Sequence, residues 1–216
     1  MKTITEQKPF ATIRQFLEPH DRVYIIGCGT CATMCRTGGK EEVLRMKEQL
    51  EGEEKRVTGW MIIPTACNAL TGEAMKLEAD RIEEADAILV MTCAFGVQRV
   101  GSFTDKLVYP ALDTLFIGME ESPGHFSEVC SQCGQCFLGE TAGICPITAC
   151  AKGLLNGPCG GSNEGKCEVD PEKDCAWILI FERLKALDRL ELMLKYQPPR
   201  DFRKAQKPRK AVVEFD

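Results

Sequence analysis

Apolar runs alternate with amphipathic stretches through the first half of the chain. The run DRVYIIGC (21–28) reads as a buried strand, and KEEVLRMKEQLEG (40–52) as a helix with Val43, Leu44, Met46 and Leu50 toward one side. VTGWMIIPTAC (57–67) reads as a second strand and GEAMKLEADRIEEA (72–85) as a second helix. DAILVMTC (86–93) follows as a third strand, AFGVQRVG (94–101) as a short helix and LDTLFIG (112–118) as a fourth strand. Strands this apolar belong in a parallel sheet covered on both faces, and strict alternation with helices implies right-handed crossovers. The expectation is an α/β domain over residues 1–118 with an open, Rossmann- or flavodoxin-like parallel sheet.

The pattern changes near Met119. From there to residue 200, Gly and Pro are dense and apolar periodicity fades. It returns in CAWILIFERLKALDRLELMLKY (175–196), which reads as one helix with Trp177, Phe181, Leu184, Leu187 and Leu194 on its packing face, stopped by Pro198 and Pro199. The basic, proline-containing tail (201–216) reads as a solvated segment, with an arm docking a partner subunit as the other reading.

Cysteine changes this picture most. There are 13 cysteines and only two histidines, His20 and His125. In a reducing compartment so many thiols point to metal or redox chemistry, and a nearly all-thiolate donor set favours iron–sulfur clusters or zinc held by four thiolates. Neither the N-terminus nor any apolar run has the form of a signal peptide or a span of ~20 residues, so a cytoplasmic location is expected. A net charge of −5 argues against nucleic acid as the default partner.

The segment VYIIGCGTCATMCRTGG (23–39) poses a choice between two sites. Gly27, Gly29 and Ala32 after a strand fit G-x-G-x-x-A, the dinucleotide turn, and Glu51, Glu53 and Glu54 lie at a suitable distance for a ribose carboxylate. Against this, Gly38 and Gly39 interrupt the helix such a turn requires, and Cys28 and Cys31 stand where a pyrophosphate must approach the backbone. The cluster reading is therefore preferred. Cys28, Cys67 and Cys93 each fall at or just past the carboxyl end of an expected strand, with Cys31 and Cys35 on the first loop. Open parallel sheets bind ligands at that edge. Five thiols would meet where four suffice, and the spacing does not say whether Cys31 or Cys35 is the spare.

Eight more cysteines lie within 130–175. Cys130-x2-Cys133-x2-Cys136 has the spacing by which three thiolates hold three irons of one [4Fe–4S] cube. A fourth ligand and a second site must come from Cys145, Cys150, Cys159, Cys167 and Cys175, either as a further cube or as zinc. Bound metal would then supply much of this segment's folding energy. No acid–base or nucleophilic site is visible. His125 lies alone in a Gly/Pro loop, and Glu83–Glu84 and Glu120–Glu121 read as solvated faces.

The run from CSQCGQC (130–136) through NGPCGG, GKCEV and DCAW resembles the cysteine-rich C-terminal domain family of methylenetetrahydrofolate reductase, found in MetV-type small subunits. The similarity covers about 113–200, and the two-part layout fits as well. The resemblance implies a non-catalytic electron-transfer subunit with two or three [4Fe–4S] clusters, zinc replacing one in some members. All 13 cysteines carry over as cluster or metal ligands. It also implies a MetF-type flavoprotein partner holding flavin and folate, which reduces 5,10-methylenetetrahydrofolate to 5-methyltetrahydrofolate in the methyl branch of the Wood–Ljungdahl pathway. Ferredoxin or another donor complex would supply the electrons. The alternative is a zinc-stabilised scaffold without redox work.

Overall fold

The computed structural model describes residues 2–213. The chain divides into two units, Met1–Ser127 and Glu128–Asp216.

The first unit is α/β, with one parallel and one antiparallel sheet. Its elements run β1 (Lys2–Gln7), α1 (Phe10–Leu17), β2 (Arg22–Cys28), α2 (Cys31–Met34), α3 (Lys40–Gly52), β3 (Arg56–Ile63), α4 (Thr71–Lys76), α5 (Ala79–Glu84), β4 (Ala87–Met91), α6 (Ala94–Gly101), β5 (Leu107–Pro110), β6 (Leu112–Ser122) and β7 (His125–Ser127). Four parallel strands lie in the order β3-β2-β4-β5, and β1-β6-β7 form the antiparallel sheet. Six of seven residues in β2 and all five in β4 are buried, because helices cover both faces of these central strands. Val43, Met46 and Leu50 of α3 reach the same core as Ile13 and Leu17 of α1.

Several elements differ from the sequence expectation. The second strand stops at Ile63, so Cys67 lies on the following loop. The expected helix over 72–85 is two short helices, with Leu77 83% exposed at the break; an apolar residue counted toward the helix faces solvent there. The fourth parallel strand is LVYP, not LDTLFIG. The latter begins β6, which turns at Ala111 and pairs antiparallel with β1. Ala111 joins both sheets, donating to the Val90 carbonyl at 3.0 Å and accepting from Lys8 N–H at 2.9 Å. The N-terminal strand β1, with no apolar run of its own, is held by this long-range pairing.

The second unit carries little regular structure: α7 (Pro146–Ala149), α8 (Ala176–Ala186) and two 3-10 turns, Leu190–Leu194 and Phe202–Ala205. Its core gathers Cys175, Trp177, Ile180 and Leu184. The helix expected to run to residue 196 ends at Ala186, with Asp188 at φ 53°. Consequently Leu187 and Leu194 are exposed, Phe181 is 38% exposed, and Ile180 takes the packing position assigned to Phe181. The tail is not simply solvated: its 3-10 turn folds back on the loop carrying Cys130, Cys133 and Cys136. Residues 214–216 lie outside the described part. Among the described residues no helix is long and apolar enough to cross a membrane.

Candidate metal centres

The strand order makes the crevice between β2 and β4 the point where chain connections diverge, toward β3 on one side and β5 on the other. Ligands gather outside such a point. Cys28 is the last residue of β2, paired with Ile63 of β3, while Gly27 pairs with Met91 of β4. Cys93 follows two residues later as the N-cap of α6, where the helix dipole favours an anionic group. Cys67 approaches from the loop after β3. Burial pushes the Cys67 thiol up, and the neighbouring thiols of Cys93, Cys28 and Cys31 push it the same way. Four of the five first-unit cysteines therefore share one neighbourhood.

Cys35 has a different environment. It caps α2, and its thiol donates to the Thr3 carbonyl of β1 at 3.7 Å. Two residues on, Thr37 shares a 2.7 Å hydroxyl hydrogen bond with Thr5, buried under the same strand. Cys31 and Cys35, alike in the sequence, thus differ in surroundings, and Cys35 is set against β1, an element the periodicity did not reveal.

The glycine turn is occupied by protein. Gly38 lies over the ends of β2 and β4: its carbonyl accepts from Cys28 N–H at 3.0 Å, and a Cβ at Gly38 would come 1.9 Å from the Met91 carbonyl oxygen. A Cβ on Gly27 would meet the Gly38 carbonyl at 2.5 Å. These glycines serve close backbone packing inside the loop, so the space a pyrophosphate would use above Gly27 is filled.

In the second unit, Cys150, Cys159, Cys167 and Cys175 line one small hollow of about 20 Å³. A tight turn at 163–166, closed by backbone hydrogen bonds of 3.1 and 2.8 Å between Asn163 and Lys166, brings the arms of Cys159 and Cys167 together. Cys175 N–H donates to the Gly165 carbonyl at 2.7 Å and begins α8. Glu168 sits beside this group, accepting from the Cys159 thiol at 3.2 Å and pairing with Lys152. Lys152 first, then Cys159, holds its carboxyl below the usual range. Sequence reasoning missed both charged residues, whose side chains meet across 16 positions without a local signal.

Cys145 is not part of that hollow. It caps α7 and accepts from Thr148 Oγ1 at 3.7 Å. Its neighbour Pro146 lines another small hollow together with Phe137, the residue after Cys136. Cys130 and Cys136 are exposed and Cys133 half-buried. Gln132 N–H points at Cys130 Sγ (3.4 Å), as Gly161 N–H points at Cys159 Sγ (3.4 Å). Backbone amides aimed at sulfur stabilise thiolate and tune a bound cluster.

His125 is exposed and hydrogen-bonded to Ser122, and His20 pairs with Tyr109; neither lies at a thiol group. Among the described residues, no three Cys, His, Asp or Glu side chains stand as a ready-made metal-ion site. The donor chemistry itself, thiols with backbone amides directed at sulfur, fits iron–sulfur or zinc.

The first unit is α/β with Cys28 and Cys93 at its switch point, and the second is cysteine-rich with a small core. Residues 109–203 match the family model described as "Methylene-tetrahydrofolate reductase C terminal", so this segment is related to that reductase family. No curated protein and no solved structure matches the chain.

Proposed function

We propose that this chain is the electron-transfer subunit of a methylenetetrahydrofolate reductase of the MetV type, delivering electrons to the flavin of a MetF-type partner that forms 5-methyltetrahydrofolate. The observation that carries the reading is the wealth of thiols, 13 in all, on a chain whose residues 109–203 match the reductase family model. In this reading Cys28, Cys31, Cys67 and Cys93 would form one set and Cys150, Cys159, Cys167 and Cys175, around their hollow, another. Cys145, outside that hollow, would complete a set with Cys130, Cys133 and Cys136, leaving Cys35 over. Bound to such sets, [4Fe–4S] clusters would supply one-electron transfer.

The chain's own residues contribute the rest. β2 and β4 fix Cys28 and Cys93 on a rigid sheet edge, and the Gly38 backbone seals the floor beneath them. In the second unit, the Asn163–Lys166 turn and the start of α8 hold Cys159, Cys167 and Cys175 around one hollow. A second reading concerns the set of Cys150, Cys159, Cys167 and Cys175 alone. Four thiolates around one hollow suit zinc as well as a cube, so zinc there is the other reading.

The test is anaerobic purification with iron, zinc and labile-sulfide analysis and low-temperature EPR of the reduced protein. About eight irons and one zinc, or about twelve irons without zinc, would support electron transfer. Cys35→Ser should leave the iron content unchanged, whereas Cys31→Ser should lower it by up to one cluster. Colourless protein holding only zinc would sink the reading in favour of a scaffold.

A further inference from the structure

The tail after the two prolines carries six basic residues against one acidic residue between Arg200 and Val213. Its path is pinned at three places. Asn156 holds Gln197 through a pair of amide hydrogen bonds of 2.7 and 3.0 Å. Asp201 N–H donates to Gln135 Oε1 at 3.1 Å. Arg209 spans two backbone carbonyls, Nη1 to Lys204 (2.9 Å) and Nη2 to Gln132 (2.8 Å). Gly134, at φ 78°, lies directly beneath: a Cβ there would stand 3.0 Å from the Lys204 carbonyl and 3.2 Å from Arg209 Nη1.

Gln132, Gly134 and Gln135 are three of the four spacers between Cys130, Cys133 and Cys136. The tail therefore grips the intervening residues of the C-x2-C-x2-C loop and bonds none of its sulfurs. A loop of alternating thiols and small polar residues has no hydrophobic means of holding its shape, and outer contacts decide how firmly such ligands are presented.

We propose that residues 201–209 form a cationic strap that clamps the Cys130–Cys133–Cys136 loop and fixes its thiol spacing, slowing loss of the bound metal group. Arg209 is the principal positioning residue, because its planar fork closes the strap on itself and on the loop at once. This rests on the proposed function insofar as the loop holds metal; the clamp itself rests on the contacts above.

The experiment uses the full chain, purified anaerobically, beside Arg209→Ala, Arg209→Lys, Gln135→Ala and a chain ending at Pro199. Iodoacetamide labelling is followed cysteine by cysteine by mass spectrometry, and metal loss to a chelator is timed on the same samples. Loss of such an outer contact typically changes metal retention by about 10–100-fold. Arg209→Ala and the shortened chain are expected to speed metal loss by about tenfold and, with it, to raise labelling of the loop cysteines, most clearly of half-buried Cys133. Arg209→Lys should fall between, and Cys28, Cys67 and Cys93 should label as before, which separates strap loss from misfolding. Equal rates at the three loop cysteines in all variants would overturn the strap. A wild-type chain with neither iron nor zinc would overturn the proposed function instead, while the labelling contrast still decides the clamp.

Discussion

Gly38 shows how one residue without a side chain shapes the first thiol group. Its α-carbon lies against the end of β4, and any Cβ would collide with the Met91 carbonyl, a backbone atom that cannot swing away. Gly38→Ala must displace either the strand end or the loop that carries Cys31 and Cys35. Overpacking of this kind costs about 1–3 kcal/mol, occasionally more. The expected outcome is a lower urea midpoint for the first unit and faster labelling of Cys31, measured by denaturation and mass spectrometry. An unchanged midpoint would show that the loop has slack the close contact denies. In the sequence, Gly38 looked only like a helix breaker. That it meets Met91, far along the chain, is a tertiary fact with no local trace.

Between elements, the starts of β2 and β4 are tied by Arg22 and Asp86. The Asp86 carboxylate accepts from the Arg22 guanidinium at 2.6 and 3.1 Å and from its backbone N–H at 2.9 Å. The guanidinium hydrogen bond first, and the backbone donor next, pull the Asp86 carboxyl down to about 2. A folded-state value below the ordinary ~3.9 adds stability that is present above that pH and lost as pH falls toward the folded value. Between about pH 4 and 2 the wild type should therefore lose stability that Asp86→Asn has already lost. Thermal unfolding of the two across that window should show the gap narrowing at the acid end, and a constant gap would refute the linkage. The pair is half-exposed, so the effect will be modest. Two helices were legible to the residue: the long α3 and the short α6 fall on the expected positions. The misreadings are a split second helix, a shortened terminal helix and a displaced fourth strand. The two helix errors occur where Leu77 and Leu187 are exposed, so periodicity counted residues that packing does not use.

At the level of the whole molecule, the two units differ in what holds them. The first buries an extensive core around β2 and β4, whereas the core of the second gathers only four buried residues, one of them Cys175. A segment with so small a core depends on outside energy, and metal binding supplies folding energy directly. Stripping metal with a strong chelator under anaerobic conditions should raise amide hydrogen exchange across 130–175 while β2 and β4 stay protected. Protection that survives in 130–175 after complete metal loss would show that the small core suffices. The sequence by itself determined the alternation of strands and helices, the excess of thiols over imidazoles and the likeness to the reductase family, because each is written in local spacing and residue type. Only the tertiary structure decided that Cys150, Cys159, Cys167 and Cys175 line one hollow, that Cys35 turns to β1, that Cys145 stands apart from that hollow, and that the basic tail folds over the cysteine loop. Those outcomes depend on contacts between residues up to 77 positions apart, and no short-range pattern encodes such contacts.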